Sequence, residues 1–404
     1  MKTEKLLNAI GKIDDNLIYG AVNDAKTKKK NIWIKWSAAA AFLAFVIFSV
    51  TQFIPKSNFM EELPKLPMLS ISETSNEAMG FEGYMAYEIS ELVNANPWNE
   101  NMEISTLPVY QNPLSYDENF IEHGADFTIM KTYLLEVANR LGMDTDNLPI
   151  SDNTPSAEEQ AAVLEKTNGD IPDGYFNPTA VIAEKNGIEI EVDASLTAKI
   201  TFDPAVTLPD GYVFSYDSSY DDIASVAEYL KETYKDLLGM DNPQINIYGG
   251  DYNIDLQQSY KIEFYNAANN LTDLILNYNF NRTAFYCDEN GDLYMARIFQ
   301  PNLSKKVADY PIISAEEAKE LLLNGNYITT VPYEMPGENY IAKRELVYRT
   351  SKHEKYYMPY YRFYVELPDM KKDNRIKLYG VYYVPAVNKA YITDMPIWDG
   401  SFNS

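Results

Sequence analysis

Residues Trp36 to Ile54, WSAAAAFLAFVIFSVTQFI, make 19 consecutive positions without a charge, polar only at Ser37, Ser49, Thr51 and Gln52. As a helix rising about 1.5 Å per residue, such a run spans roughly the ~30 Å hydrocarbon core of a bilayer. A helix buried in a globular core would normally carry a polar stripe; this run is apolar all round. A transmembrane helix over 36–54 is therefore expected. A cleaved signal peptide competes with it. That alternative needs a short charged leader and small residues at the cleavage site. Here 35 residues come first, and the run leaves through Gln52-Phe53-Ile54-Pro55.

Flanking charge sets the orientation. Lys26, Lys28, Lys29, Lys30 and Lys35 precede the run, whereas Lys56, Glu61 and Glu62 follow it. Lysine-rich flanks stay inside, so the expectation is a single-pass protein of the cell membrane with a cytoplasmic N-terminus. Trp33, Lys35 and Trp36 fall at the inner membrane interface, where indole rings favour the headgroup layer. Residues 1–35 open with an amphipathic helix whose stripe is Leu6, Ile10, Ile13 and Leu17, spaced four, three and four apart. So short a helix is marginal alone. Its stripe calls for a cytoplasmic protein partner, the inner leaflet or another copy.

The pattern LLNAIGKIDDNLIYGAV, a lysine cluster, then IWIKWSAAAAFLAFVIF resembles the N-terminus of single-pass membrane proteins of low-GC Gram-positive bacteria. Many of these resemble anti-sigma factors or sigma-factor-associated regulators. The resemblance covers about 50 of the 404 residues and implies a regulatory role. It departs from many anti-sigma domains in having no Cys or His in residues 1–35.

The chain carries a net charge of -25; residues 1–35, with eight Lys against four acidic residues, hold +4, leaving -29 on the rest. So acidic a region repels nucleic acid and anionic lipid, so no nucleic-acid partner is expected. Hydrophobic residues at 46% and aromatics at 13% mark a folding sequence. One cysteine, Cys287, forbids an internal disulfide and is expected as a buried strand residue. With only His123 and His353 and no metal-ligand spacing, no metal, cofactor or catalytic residue is assigned.

Beyond the span, 55–80 with Pro55, Pro64 and Pro67 is expected to be a stalk. A strand is expected at Leu107–Tyr110, with Trp98 packing on the core. Apolar periodicity places helices at Met130–Leu141 and Ile223–Leu238, the latter capped by Asp221 or Asp222 and ended by Gly239. The stretch SDNTPSAEEQ opens a short helix through Lys166, and Ser314 with Glu317 forms a capping box for another. Lys185-Asn186-Gly187 between alternating runs signals a hairpin, with a third strand at Leu196–Phe202. Further strands are expected at Gln244–Tyr248, Tyr260–Tyr265, Leu274–Phe280, Thr283–Cys287, Leu293–Ile298, Arg344–Arg349, Met358–Leu367, Lys377–Val384 and Ala390–Thr393. Leu141-Gly142-Met143-Asp144 recurs as Leu238-Gly239-Met240-Asp241, which suggests an internal repeat.

The expected fold class is α+β: one transmembrane helix plus an extracytoplasmic region of repeated helix-on-antiparallel-sheet units. The expected segments are 1–35, 36–54, 55–80 and three units at 81–205, 206–303 and 304–404. The last unit resembles PepSY or YycH/YycI modules in its IISAEEA helix opening followed by aromatic strands. Its tyrosines, including Tyr356, Tyr357, Tyr360, Tyr361, Tyr364, Tyr379, Tyr382 and Tyr383, pack as strand formers or grip glycan or peptide. The turn Asp288-Glu289-Asn290-Gly291-Asp292 lacks the ligand spacing of a helix-loop-helix calcium loop. Function is read as a membrane-anchored regulatory or sensor protein without enzymatic activity. It would bind an envelope ligand outside and a cytoplasmic partner inside. The alternative is a tethered, non-catalytic interaction or structural protein of the envelope.

Overall fold

Short apolar runs broken by Gly, Pro, Asn and Asp favour strands, and strands dominate. The computed structural model describes residues 63–66, 81–114, 116–117, 120–121, 124–171, 173–329, 331–350, 354–370 and 375–400. All elements belong to a compact unit, Leu63–Ser404; a separate unit, Met1–Glu62, lies outside the described residues. The chain begins with β1 (Gly83–Ala86), β2 (Thr106–Gln111), β3 (Tyr116–Asp117), β4 (Phe120–Ile121), α1 (Phe127–Arg140), β5 (Ile150–Asp152) and α2 (Ala157–Lys166). It continues through β6 (Ala180–Lys185), β7 (Ile188–Asp193), β8 (Thr197–Val206), α3 (Tyr220–Thr233), α4 (Lys235–Leu238), β9 (Pro243–Tyr252) and β10 (Gln258–Asn266). Next come α5 (Leu271–Phe280), β11 (Arg282–Cys287), β12 (Leu293–Phe299), β13 (Lys306–Pro311) and α6 (Ala315–Leu323). The last strands are β14 (Ile328–Thr329), β15 (Ile341–Tyr348), β16 (Tyr356–Tyr357), β17 (Pro359–Glu366) and β18 (Lys377–Pro385).

Eight strands form one sheet in the order β5-β6-β7-β8-β12-β11-β10-β9. Its two halves mirror each other, and the last strand of each half pairs antiparallel with the other, β8 against β12. The Asn186-Gly187 turn sets β6 against β7, with φ of 56° and 78°, as a two-residue hairpin requires. Helices α1 and α3 cover one face. Met130, Leu134 and Val137 join Ile190 and Val192 in the same core as Ile223, Val226, Leu230, Ile247 and Ile262. Local caps begin these helices: the Asp126 side chain accepts from Ile129 N, and Ser219 Oγ accepts from Asp222 N. The α3 cap is thus Ser219, and Asp221 and Asp222 occupy the first turn, where the helix dipole favours acids. The two Leu-Gly-Met-Asp ends converge, since Gly142 and Gly239 line one surface hollow with Arg140 and Asp236.

The second sheet has the order β1-β18-β17-β15, with β14 also paired to β18. Both faces are buried. Tyr361, Phe363, Val365, Tyr382 and Val384 pack one way, towards α6; Tyr360, Tyr364, Tyr379, Val381 and Tyr383 pack the other, towards Leu66 and Tyr310. Burial on both faces explains why β17 and β18 read as nearly continuous apolar runs rather than alternating ones. A three-stranded sheet, β13-β2-β16, and the β3–β4 pair complete the pairing.

These observations correct the expected fold class. The structure is mostly antiparallel sheet with few helices, and among the described residues no helix is long and apolar enough to cross a membrane. The span expected at 36–54, and with it the membrane and single-pass description, has no counterpart there; the span itself lies outside the described residues. The expected repeated helix-on-sheet units are replaced by a merged sheet, because a four-stranded half leaves an unpaired edge that β8 and β12 satisfy in each other. Leu274–Phe280 is helix, not strand. Asn270 caps it by accepting from Asp273 N, and a short apolar run does not distinguish the two states. Ala390–Thr393 is not a hairpin strand: a 3₁₀ turn at Lys389–Tyr391 leads to Ile392, which bridges Leu66. Leu66, from the expected stalk, is fully buried.

Glycine at two sites separates intrinsic strain from lack of space. Gly250 has φ 95°, and a Cβ there would lie 2.0 Å from the Glu91 carbonyl oxygen; Gly142 has φ 71° with nothing within 4 Å. Gly142→Ala should cost about 1 kcal/mol, and Gly250→Ala clearly more, about 2–4 kcal/mol, because backbone must move as well. Urea unfolding of both variants checks the ranking.

Candidate functional site

A cleft of about 420 Å³ lies between the two sheets. One wall comes from β9, β10, β11 and α5, the other from β1, β17, β18 and the end of β15. A strap, residues 92–96, stitches the walls together. Val93 pairs with Gly249 of β9, N–H to O at 3.0 Å one way and 3.2 Å the other. Ala95 N donates to Asn246 Oδ1 (2.8 Å), and Asn96 Nδ2 to the Leu346 carbonyl (3.2 Å). The strap approaches β9 where Gly250 and Asp251 together oppose Ser259, a β-bulge.

Across the second wall runs a row of polar side chains in register. Glu345 of β15 faces Arg362 of β17, which faces Tyr383 of β18. Tyr383 Oη donates to Glu82 Oε2 at 2.6 Å. Glu345, 2% exposed, receives Arg362 Nε at 2.9 Å and also its Nη2, Lys343 Nζ at 2.8 Å and Asn94 Nδ2 at 2.6 Å. Burial acts to raise its pKa, but Arg362 and Lys343 outweigh it and hold the carboxyl down at about 2. The Arg362 guanidinium lies 5.3 Å from the Tyr364 ring centre.

Two further arginines line the cleft. Arg349 binds the buried Glu354 (Nε to Oε1, 2.9 Å), and its guanidinium sits 4.4 Å from the Tyr383 ring centre. Burial, the larger effect, pushes the Glu354 carboxyl up, while Arg349 pulls it back. Arg282 of β11 reaches Glu263 Oε1 at 3.3 Å and lies 5.0 Å from the Phe299 ring centre. Lys261 of β10 stands 5.7 Å from the Tyr248 ring centre. Each cation is thus laid over an aromatic ring, which fixes its direction. Burial pushes the lining phenols up, Tyr84 to about 12; Tyr348, Tyr364 and Tyr383 already donate their O–H to the Pro108 carbonyl, Glu345 and Glu82. The cleft offers oriented guanidinium groups and the phenols of Tyr84, Tyr248 and Tyr278 beside the carboxylates of Glu82, Asp251 and Glu263.

Leu6, Ile10, Ile13, Leu17, Trp33, Lys35 and Trp36 lie outside the described residues, as do His123 and His353. The C-terminal tyrosines singled out in the sequence are buried, apart from half-buried Tyr356; of them Tyr364 and Tyr383 border the cleft, with Tyr348 beside them. Trp98 packs edge-on against Tyr361. Cys287 is half-buried at the end of β11, and burial pushes its thiol pKa up, away from nucleophilic reactivity. The acidic turn closes on itself, Asp288 Oδ1 accepting from Asn290 N and Asp292 N. Among the described residues no group of three His, Cys, Asp or Glu could hold a metal ion. Sequence reasoning missed Lys261, Arg282, Arg349 and Arg362. Its available signal was a charge inside an otherwise apolar strand, Arg362 within MPYYRFYVEL and Glu345 before Leu346.

Compared with protein-family models and with characterised proteins, the chain matches none. The resemblances noted at its two ends therefore rest on their residues alone.

Arg362→Met leaves Glu345 buried without its main counter-charge and should destabilise the protein by about 3–5 kcal/mol, with Glu345→Gln restoring part of the loss in the double variant. Acid adds a second readout. Glu345 titrates near 4.5 when unfolded and about 2 when folded, so the unfolded chain binds the proton first. Its stabilisation is complete above pH 4.5 and declines as pH falls towards 2. Urea midpoints measured across that range should drop more for the native chain than for Glu345→Gln; equal slopes would refute the assignment.

Proposed function

We propose that this protein is a ligand-binding protein of regulatory type, not a catalyst. Its ligand is a small polar molecule held in the cleft between the two sheets. One observation carries this: three arginines, each paired to a carboxylate and laid over an aromatic ring, direct donors into a cavity of about 420 Å³. That volume lies within the usual range of small-molecule sites, about 300–1,000 Å³. Pre-oriented charged groups favour binding because little side-chain entropy remains to be lost. The side chains have the character of a recognition site: donors held in place and phenols kept protonated. The stripe Leu6, Ile10, Ile13 and Leu17 is the segment through which occupancy would reach a second protein.

The test is a thermal-shift screen of the full chain against small polar and charged compounds. A class of ligand should raise Tm with saturating concentration dependence. Lys261→Ala, at an exposed strand position, should weaken that binding severalfold while leaving unfolding by urea within about 0.5 kcal/mol of the parent. Turnover of any bound compound would overturn the non-catalytic reading. Binding unaffected by Lys261→Ala and by Tyr248→Phe would place the ligand elsewhere.

A further inference from the structure

Resting on the cleft proposed above, we infer that a smaller hollow beside it is a subsite for an anionic group carried at one end of the ligand, a carboxylate, sulfate or phosphate. The hollow measures about 200 Å³ and adjoins the main cleft, with Glu263, Arg282 and Thr350 lining both. Its remaining walls include Ala284, Tyr286 and Arg297.

Strand register builds this hollow. Ala284 of β11 stands between Glu263 of β10 and Arg297 of β12, and its short side chain leaves a floor between two long ones. Arg282 faces Phe299 directly, which puts Arg282 and Arg297 diagonally across adjacent strands, about 7–8 Å apart at the backbone. Charge is unbalanced there. Two guanidiniums meet one carboxylate, Glu263, which is already engaged by Asn246 Nδ2 (3.2 Å) and Arg282 Nη1 (3.3 Å). Arg297 forms no ion pair with the described residues, and neither does neighbouring Lys261. Buried Arg282 Nε has no hydrogen-bond partner among them either. That Nε is closed to solvent, so the donors an oxyanion would meet are those of the Arg297 guanidinium and the outer edge of Arg282. Thr350 is a hydroxyl-bearing wall residue, and Tyr286, whose phenol burial holds above its ordinary pKa, remains a donor. Neutral sugars, which stack on bare ring faces, fit less well: the Phe299 and Tyr248 rings are covered by Arg282 and Lys261.

Isothermal titration of the full chain with sodium sulfate, phosphate and succinate, each matched in ionic strength by sodium chloride, tests this. Saturable binding of at least one oxyanion is expected. Arg297→Ala should weaken it about tenfold, the loss of one charge-assisted hydrogen bond, and Arg297→Lys should recover part. Which probe binds best separates phosphate, sulfate and carboxylate ligands. Oxyanions no better than chloride, or equal binding by Arg297→Ala, would overturn the subsite. A compound from the thermal-shift screen that binds the native chain and Arg297→Ala equally would leave the cleft standing without the subsite; no binding of any compound would remove both.

Discussion

Setting an arginine on a largely buried sheet face is expensive unless its charge is matched on the spot, because desolvation costs up to several kcal/mol. Arg362 meets that condition through register. Its neighbour on β15 is Glu345 and its neighbour on β18 is Tyr383, so one transverse row supplies a carboxylate, a guanidinium and a phenol. The rest of the cleft follows from that row. Glu345 draws Asn94 and Lys343 to itself, which brings the strap against the sheet. Tyr383 holds Glu82 on one side and underlies Arg349 on the other. Slipping β17 by one residue would send Arg362 into the face packed against α6 and expose Phe363 in its place. The polar row and the apolar pattern therefore specify the same register.

The eight-stranded sheet supplies the opposite wall for a topological reason. Its mirrored halves meet at β8 and β12, which leaves β5 and β9 as the edges. Such edges invite pairing with other chains. Here the strap occupies part of the β9 edge through the Val93–Gly249 bridge, and the bulge at Gly250 lets the strap approach closely. The contact that protects the edge also ties the two sheets together. Helices α1 and α3 cover one face only, so the other face of β10 to β12 presents Lys261, Arg282 and Arg297 towards the cleft side.

Local chemistry made much of this legible in the sequence. Asn186-Gly187 set its hairpin, Ser314 with Glu317 set the start of α6, and 3.6-residue periodicity located α1 and α3, because each signal acts over a few residues. Leu274–Phe280 misled for the opposite reason: so short a run, LILNYNF, fits either state, and the Asn270 cap, which starts the helix three residues earlier, decided in favour of helix. The merging of two halves through β8 and β12 depends on pairing between strands some 90 residues apart, which no local pattern encodes. The site was hidden the same way. Glu345, Arg362 and Tyr383 look unrelated along the chain and become neighbours only when three strands align. One local trace of the site is Arg362 itself, since a charge inside the apolar run MPYYRFYVEL calls for a partner.

A cation-lined cleft in so acidic a chain raises an electrostatic question. With -29 spread beyond residue 35, the protein as a whole repels anions at long range. That repulsion is screened over roughly 8 Å at physiological salt, whereas charges inside a partly enclosed cleft are screened far less. Under the proposed subsite, an anionic group is opposed at long range and must be attracted locally. The balance at the end near Arg282 is set by a few groups: Lys261, Arg282 and Arg297 against Glu263. At the other end, Arg349 and Arg362 are each matched by a carboxylate from behind, and Glu82 and Asp251 also line the wall, so that end carries no excess of positive charge. Such a division suits a ligand with a neutral polar body and one charged end. The subsite would discriminate by position rather than by overall charge, because a group seated in the small hollow meets two guanidiniums against one carboxylate.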